Sequence, residues 1–418
     1  MLLILWLLHI FIILYEWSKH SMSIMLWAML LVVFTLPHTA YSYGYEYSPR
    51  LLSDVTLFVI IFMLLYILCR LLYFSLRPGK VVTITFDGIN QTPKGLLDCF
   101  YYTYVAAFAV VMLFFYGHGR SILTAKWTEG WSQSPPEHIA NILLTALAGL
   151  GFVFFARKEY LRFAVMLGIY IINLIISQSR YNVIGFIAPF MIYFLFSDNR
   201  KNKIRGVLVG VGVIFGVFLL QQYRWLGGLD NALNAGFEQI LTNSLNYMKG
   251  GNGEFGLIKA FYYFMDNDNK LRDFGEGNGY IRLSMFFLPA SIFAFKPRDF
   301  AIDMYREWYH YDYAGGTMHP TLFGDVYANF GYAGVVMGAI YALILSIFDE
   351  VVASTRDSSM RVLKISLICT YMVLLGRGAV YNSTFNCIIG IAVVSLLEFA
   401  YKRYLRNRNM EGEYERNI

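Results

Sequence analysis

From Thr317 to Gly334 the chain reads Thr-Met-His-Pro-Thr-Leu-Phe-Gly-Asp-Val-Tyr-Ala-Asn-Phe-Gly-Tyr-Ala-Gly, which places His319, Asp325, Tyr327 and Asn329 within eleven residues. An imidazole and a carboxylate are suited to taking or orienting a proton, and a phenol and an amide to hydrogen-bonding hydroxyls. The stretch leads into an apolar run, Gly331 to Phe348, that predicts a transmembrane helix. Ionisable groups at a membrane boundary are costly to desolvate and persist where they face water, a pore or a ligand. His319 and Asp325 are therefore the candidate catalytic residues, with Tyr327 and Asn329 as candidate binding groups.

Three of the four have a purely structural alternative. His319 precedes Pro320, which biases it to extended or turn backbone, where a histidine can simply bond a neighbour. Asp325 and Asn329 both suit the N-terminus of the next helix, one through the helix dipole and the other as a cap. Gly331 and Gly334 allow that helix to pack closely.

The elements that must position these groups are membrane helices. Hydrophobic residues make up 57% of the 418 and charged residues 15%, which excludes a soluble enzyme of this length, and the mean hydropathy of +0.49 agrees. Runs of about 17 apolar residues satisfy a bilayer core of roughly 30 Å. Eleven candidates lie near 2–16, 22–37, 52–74, 99–117, 138–156, 163–178, 182–197, 206–222, 331–349, 364–380 and 383–400. The first lacks a positive leading region and a small-residue cleavage site, so it reads as a retained helix. The expectation is an all-α, polytopic integral membrane protein of one domain, residues 1–418, with about 11 transmembrane helices.

Basic residues stay on the cytoplasmic side of short connections. Arg77, Lys80, Lys94, Arg157, Lys158, Arg162, Arg200, Lys201, Lys203, Arg205, Arg356, Arg361, Lys364 and the tail from Lys402 define one side. That side being cytoplasmic puts the 401–418 tail inside, the N-terminus outside, and residues 223–330 in one large extracytoplasmic loop. The loop carries short helical or re-entrant segments. Tyr280 to Phe295, interrupted by Pro289, is too short to span comfortably and reads as re-entrant or interfacial.

The net charge of +6 is thus mostly topology, and no basic tract of nucleic-acid type is present. The four cysteines have no paired spacing, so neither a disulfide framework nor a zinc site is expected. No Walker lysine loop and no internal repeat is evident. His310, Asp312 and His319 match no zinc pattern, and Asp266, Asp268, Asp273 and Glu276 lack calcium-loop spacing. No metal or cofactor is expected. The mid-membrane carboxylates a secondary transporter would use are scarce, Glu398 and Asp54 being the nearest.

Three passages give the chain a resemblance. Phe287-Leu288-Pro289-Ala290-Ser291-Ile292-Phe293-Ala294-Phe295-Lys296-Pro297 is a proline-containing stretch ending in Lys-Pro. His319-Pro320-Thr321, Gly324 to Gly331 and Gly334 conclude the large loop, and Ser177-Gln178-Ser179-Arg180 sets an arginine at the outer end of a helix. Together with the layout they resemble the Wzy-type O-antigen or oligosaccharide repeat-unit polymerases. Two departures stand out: Ala290 where many members have Arg, which removes a phosphate contact there, and Asp325 where many have Glu.

The resemblance implies a glycosyltransferase of lipopolysaccharide or related polysaccharide biosynthesis in the bacterial cell inner membrane. Its substrate is an oligosaccharide linked to undecaprenyl diphosphate, and its partners are membrane lipids, a chain-length regulator and a flippase. Guanidinium groups bind phosphate oxygens in bidentate fashion, which makes Arg180, Arg224, Arg282, Arg298 and Arg377 candidate substrate-binding residues. The alternatives are anchoring or snorkelling roles for Arg180, Arg224, Arg282 and Arg298, and a buried carboxylate or carbonyl cage for Arg377, which sits inside an apolar run. At the level of function, an O-antigen ligase, a flippase or secondary transporter, and a non-catalytic assembly partner stay open.

Overall fold

The computed structural model describes residues 1–44, 46–77, 86–121, 134–177, 182–227, 229–249, 253–267, 275–288, 292–293, 295–310 and 317–416. Among these residues the structure is helical, with no strand. In chain order the principal helices are α1 (Leu2–Ser18), α2 (Ile24–Ser42), α3 (Pro49–Leu76), α4 (Lys94–Gly117), α5 (Pro135–Ala156), α6 (Tyr160–Ser177), α7 (Asn182–Leu195) and α8 (Arg200–Leu226). There follow α9 (Leu229–Lys249), α10 (Leu257–Asp266), α11 (Asn278–Ser284), α12 (Phe300–Tyr309), α13 (Thr321–Phe330), α14 (Met337–Ala353), α15 (Ser358–Gly376) and α16 (Val380–Arg416).

Nine stretches among the described residues are long and apolar enough to cross a bilayer, and α1 and α7 are shorter apolar helices. Every expected apolar segment falls on one of these, and the chain has the make-up of a multi-pass membrane protein. The boundaries shift by several residues at most of these helices and furthest at two places. The span expected from Gly331 begins ten residues earlier, because α13, the 3₁₀ segment Gly331–Val336 and α14 form one apolar stretch, Thr321–Ala353. The tail from 401 continues α16 as helix to Arg416. The remainder of 223–330 holds α9 to α12, and Asn278–Ser284 is only a two-turn helix followed by turns.

Contacts within the chain cluster into two compact units. One comprises Met1–Thr83, Thr242–Ser354 and Ile368–Phe385, and the other Ile84–Leu241, Thr355–Leu367 and Asn386–Ile418.

In the first unit, local chemistry sets the helix starts. Ser48 caps α3 by accepting from the Leu51 N–H at 3.2 Å, with Pro49 in the first turn where a missing N–H is harmless. In α2 the helix widens to π geometry over Leu31–Thr35, just before Pro37, which has no N–H for the carbonyl four residues back. His9 of α1 docks there, its Nε2 2.8 Å from the Trp27 carbonyl and its Nδ1 2.7 Å from Thr35 Oγ1. Helices α3 and α14 pack at Gly338, where a Cβ would lie 2.2 Å from the Phe62 carbonyl oxygen. Aromatic rings fill the space between α3, α10 and α13, with Phe58, Phe261 and Tyr327 mutually in contact.

The same unit buries an ionic network. Arg70 on α3 is fully buried and donates Nε and Nη2 to the two oxygens of Glu16, at 2.8 and 2.6 Å. Its Nη2 also reaches Asp349 Oδ2 on α14 at 2.7 Å, and its Nη1 reaches Ser346 Oγ at 2.6 Å. Tyr66 donates to Glu16 at 2.8 Å, while Ser21 Oγ and the Met22 N–H donate to the two oxygens of Asp349 at 2.7 and 2.9 Å. Buried charges persist when paired and hydrogen-bonded in this way.

In the second unit, Ser366 of α15 donates to the Gly185 carbonyl of α7 at 2.5 Å, and Gly149 admits the α15 backbone closely. At one end, Arg162 pairs with Asp98 at 2.7 Å and Arg157 donates to the Ile89 and Thr92 carbonyls.

Candidate functional site

All residues of the site belong to the first unit. Helix α15 ends at Gly376, and the turn Arg377–Gly378–Ala379 leads into α16. Gly378 has φ +90°, and a Cβ there would lie 2.6 Å from the Thr321 carbonyl oxygen, so the turn lies directly on the first residue of α13. The Thr321 N–H donates to the Arg377 carbonyl at 3.0 Å. Thr321 itself has φ +70°, an unfavourable conformation for a β-branched residue that its surroundings must hold. On the other side, the Met318 N–H donates to the Ala301 carbonyl at 2.9 Å and ties the segment to α12.

His319 is thereby held beside the Gly378 backbone, with Thr317 Oγ1 3.4 Å from its Nε2. Burial, reinforced by the Arg377 guanidinium and opposed by the Glu254 carboxylate, lowers its pKa to about 3. The imidazole is neutral at physiological pH and has a nitrogen able to accept a proton. Arg377 donates Nε to Glu254 Oε2 at 2.8 Å, and Glu254 projects, nearly buried, from the 3₁₀ turn Gly253–Gly256.

Asp325 lies in the middle of α13 and is buried, so it does not cap a helix. The Tyr280 hydroxyl reaches it, and also lies 2.7 Å from the Tyr341 hydroxyl. Burial holds the Tyr280 phenol well above its ordinary range, so it is protonated and available as a donor. Asn329 is not a cap either: Nδ2 donates to the Asp325 carbonyl at 2.9 Å, and Oδ1 accepts from the Gly279 N–H at 2.9 Å. With Gly275 and Gly277 donating to the carbonyls of Ala328 and Asn329, both at 2.8 Å, this pins residues 275–279 onto the end of α13.

Arg282, on α11, places its guanidinium 4.6 Å over the Tyr381 ring and donates Nη1 to the Pro297 carbonyl at 2.7 Å. Its Nε is buried without a hydrogen-bond partner among the described residues. Lys296 donates to the Leu288 carbonyl at 2.8 Å, and burial and the Arg282 charge lower its pKa. Asp299 caps α12 by accepting from the Ala301 N–H at 3.1 Å.

These groups surround a cleft of about 20 Å³ lined by Arg282, Asp299, His319, Asp325, Tyr381 and Asn382, among others. That is room for about one water. Three of the expected residues, His319, Asp325 and Arg282, thus line one cleft, and Arg377 adjoins it at His319. Arg377, expected inside an apolar run, instead occupies the turn between two spans. Tyr327 is buried among Phe58, Phe261 and Tyr332, and neither it nor Asn329 lines the cleft. Arg298 is exposed and also does not line it. Arg224 is in the last turn of α8, its side chain outside the described part, and Arg180 lies outside the described residues.

Glu254, Tyr280, Asp299 and Tyr381 were missed by reasoning from sequence. Only Asp299 carries a local signal, an acidic residue directly before a helical run. No group of three or more His, Cys, Asp or Glu is placed to hold a metal among the described residues.

The fold is that of a multi-pass membrane protein with a polar cleft at the ends of its spans. Comparison with protein-family models, curated proteins and solved structures finds no match for the chain.

Proposed function

We propose that the chain is a membrane glycosyltransferase that polymerises oligosaccharide units carried on undecaprenyl diphosphate, at the outer face of a bacterial cytoplasmic membrane. The observation that carries this reading is the convergence of Arg282, His319 and Asp325 on one cleft, with Arg377 beside His319. The resemblance of the passages containing His319, Asp325, Lys296 and Arg180 to repeat-unit polymerases supports it.

In this reaction an acceptor-sugar hydroxyl oxygen attacks the anomeric carbon of the growing glycan. The carbon–oxygen bond to the lipid diphosphate breaks, and the diphosphate leaves with the electron pair. The hydroxyl proton passes to His319 or Asp325. Arg282, with its unused Nε–H, and Arg377 offset the charge developing on the diphosphate. A bound diphosphate sets negative charge near His319 and raises its proton affinity from the low resting value. The base is then activated when substrate arrives. A cleft of about 20 Å³ is far smaller than a glycan, so binding must part its walls. A chain-length regulator and a flippase are the proposed partners.

The test is the glycan ladder from cells deleted for this gene and complemented with wild type, Arg180→Ala, Arg282→Ala, His319→Ala or Arg377→Ala, with membrane levels matched. A single unit on the lipid anchor in the deletion strain, and failure of the variants to rebuild the ladder, is the expected result. Polymer that forms but stays on its carrier lipid indicates a ligase, and an unaltered ladder indicates transport or another role.

A further inference from the structure

We infer that Glu254 is the positioning residue for Arg377, an inference that rests on the polymerase reading of the site. Nothing in the sequence around Glu254, within Gly250-Gly251-Asn252-Gly253-Glu254, marks it out. In the fold its side chain is only 5% exposed, and its Oε2 lies 2.8 Å from Arg377 Nε.

The geometry of that contact is informative. A guanidinium has five N–H donors in a planar fork. The ion pair engages Nε, and no partner for the terminal amino groups of Arg377 occurs among the described residues. An arginine held side-on through Nε retains a terminal pair of N–H groups, the part that grips an oxyanion. The main chain of Arg377 is fixed separately, by the Thr321 N–H on its carbonyl and by Gly378 packed on Thr321. Glu254 thus fixes the guanidinium, and α13 fixes the backbone.

Charge balance points the same way. At 15% side-chain exposure Arg377 needs a counter-charge when no anion is bound, and Glu254 supplies it. His319 lies within reach of both charges, one favouring its protonation and the other opposing it. An anion arriving at the terminal amino groups leaves the Nε contact in place, so the guanidinium need not reorganise.

The full-length protein with Glu254→Gln, Arg377→Ala, both together, and the exchange Glu254→Arg/Arg377→Glu separates this role from a structural one. Thermal unfolding in detergent reports the ion pair, and the glycan ladder in complemented deletion cells reports function. Glu254→Gln and Arg377→Ala, folded and in the membrane, are each expected to lose polymer by about ten-fold or more, with the double variant no worse than Arg377→Ala. The exchange is expected to recover thermal stability without recovering the ladder. A wild-type ladder from folded Glu254→Gln, or a ladder restored by the exchange, overturns the positioning role. Should Glu254→Gln fail to reach the membrane, Glu254→Asp, which withdraws the charge by one methylene, answers the same question: a reduced ladder supports the role and a full one overturns it. A wild-type ladder from Arg377→Ala instead removes the polymerase reading of the site, and the role of Glu254 with it.

Discussion

The Thr321 N–H meets the Arg377 carbonyl at 3.0 Å, and that bond joins the start of α13 to the turn between α15 and α16. It brings together two passages that are remote in the chain and sets His319 next to Arg377. The positive φ of Thr321 concentrates strain at this point, as functional sites often do.

Gly378 makes the junction possible. Gly378→Ala forces a side chain into the left-handed region and into the Thr321 carbonyl, which should destabilise by about 1–3 kcal/mol. Gly168→Ala on α6, where a Cβ meets nothing within 4 Å and alanine favours the helix, is the control and should not lower the midpoint. Thermal unfolding of the two purified variants decides this, and a Gly378→Ala midpoint equal to that of the control contradicts the packing.

Helices α3 and α14 approach too closely for any side chain at Gly338. Gly338→Val must push Phe62 away, a strain of about 1–3 kcal/mol in a well-packed core. The expected outcome is a lowered unfolding midpoint in detergent, and an unchanged midpoint is evidence against the contact.

Arg70 lies between two buried carboxylates. Arg70→Leu leaves both without a cation and should cost about 3–5 kcal/mol, with most of the protein failing to fold. Arg70→Leu combined with Glu16→Leu and Asp349→Asn removes the charges together and should regain much of the loss. Yield of monodisperse protein by size exclusion is the measure, and a stable Arg70→Leu single variant contradicts the network.

His319 gives stability a dependence on pH. An unfolded chain protonates an imidazole near 6.5, whereas here the pKa is about 3. Between those values the unfolded state binds more protons, so this contribution is fully present above 6.5 and is lost progressively as pH falls toward 3. Wild type should lose more of its midpoint than His319→Asn between pH 7 and pH 5. Equal losses indicate that the folded imidazole is not depressed.

The apolar segments were legible because each carries its own signal in a continuous run. Clustering His319 and Asp325 was legible for the same reason, since six residues separate them in the chain. The helical site of Asp325 was not, because hydropathy begins the span at Gly331 while Pro320 and Thr321 begin the helix. The ionic network escaped entirely. Glu398 and Asp54, which looked like the nearest mid-membrane carboxylates, form i,i+4 pairs with Lys402 and Arg50. Glu16 and Asp349 stand at the ends of apolar runs, and their partner Arg70 is 54 and 279 residues away, a separation on which single-sequence patterning is silent.

That separation has a consequence for biogenesis. At about 5–20 residues per second, Asp349 leaves the ribosome on the order of tens of seconds after Arg70. Through that interval the first spans must reside in the bilayer with Glu16 and Arg70 as a self-sufficient neutral pair, which their two-point contact allows. Asp349 is the last of the three charges to be made, so the contact that ties α14 to Arg70 closes only after the intervening spans exist.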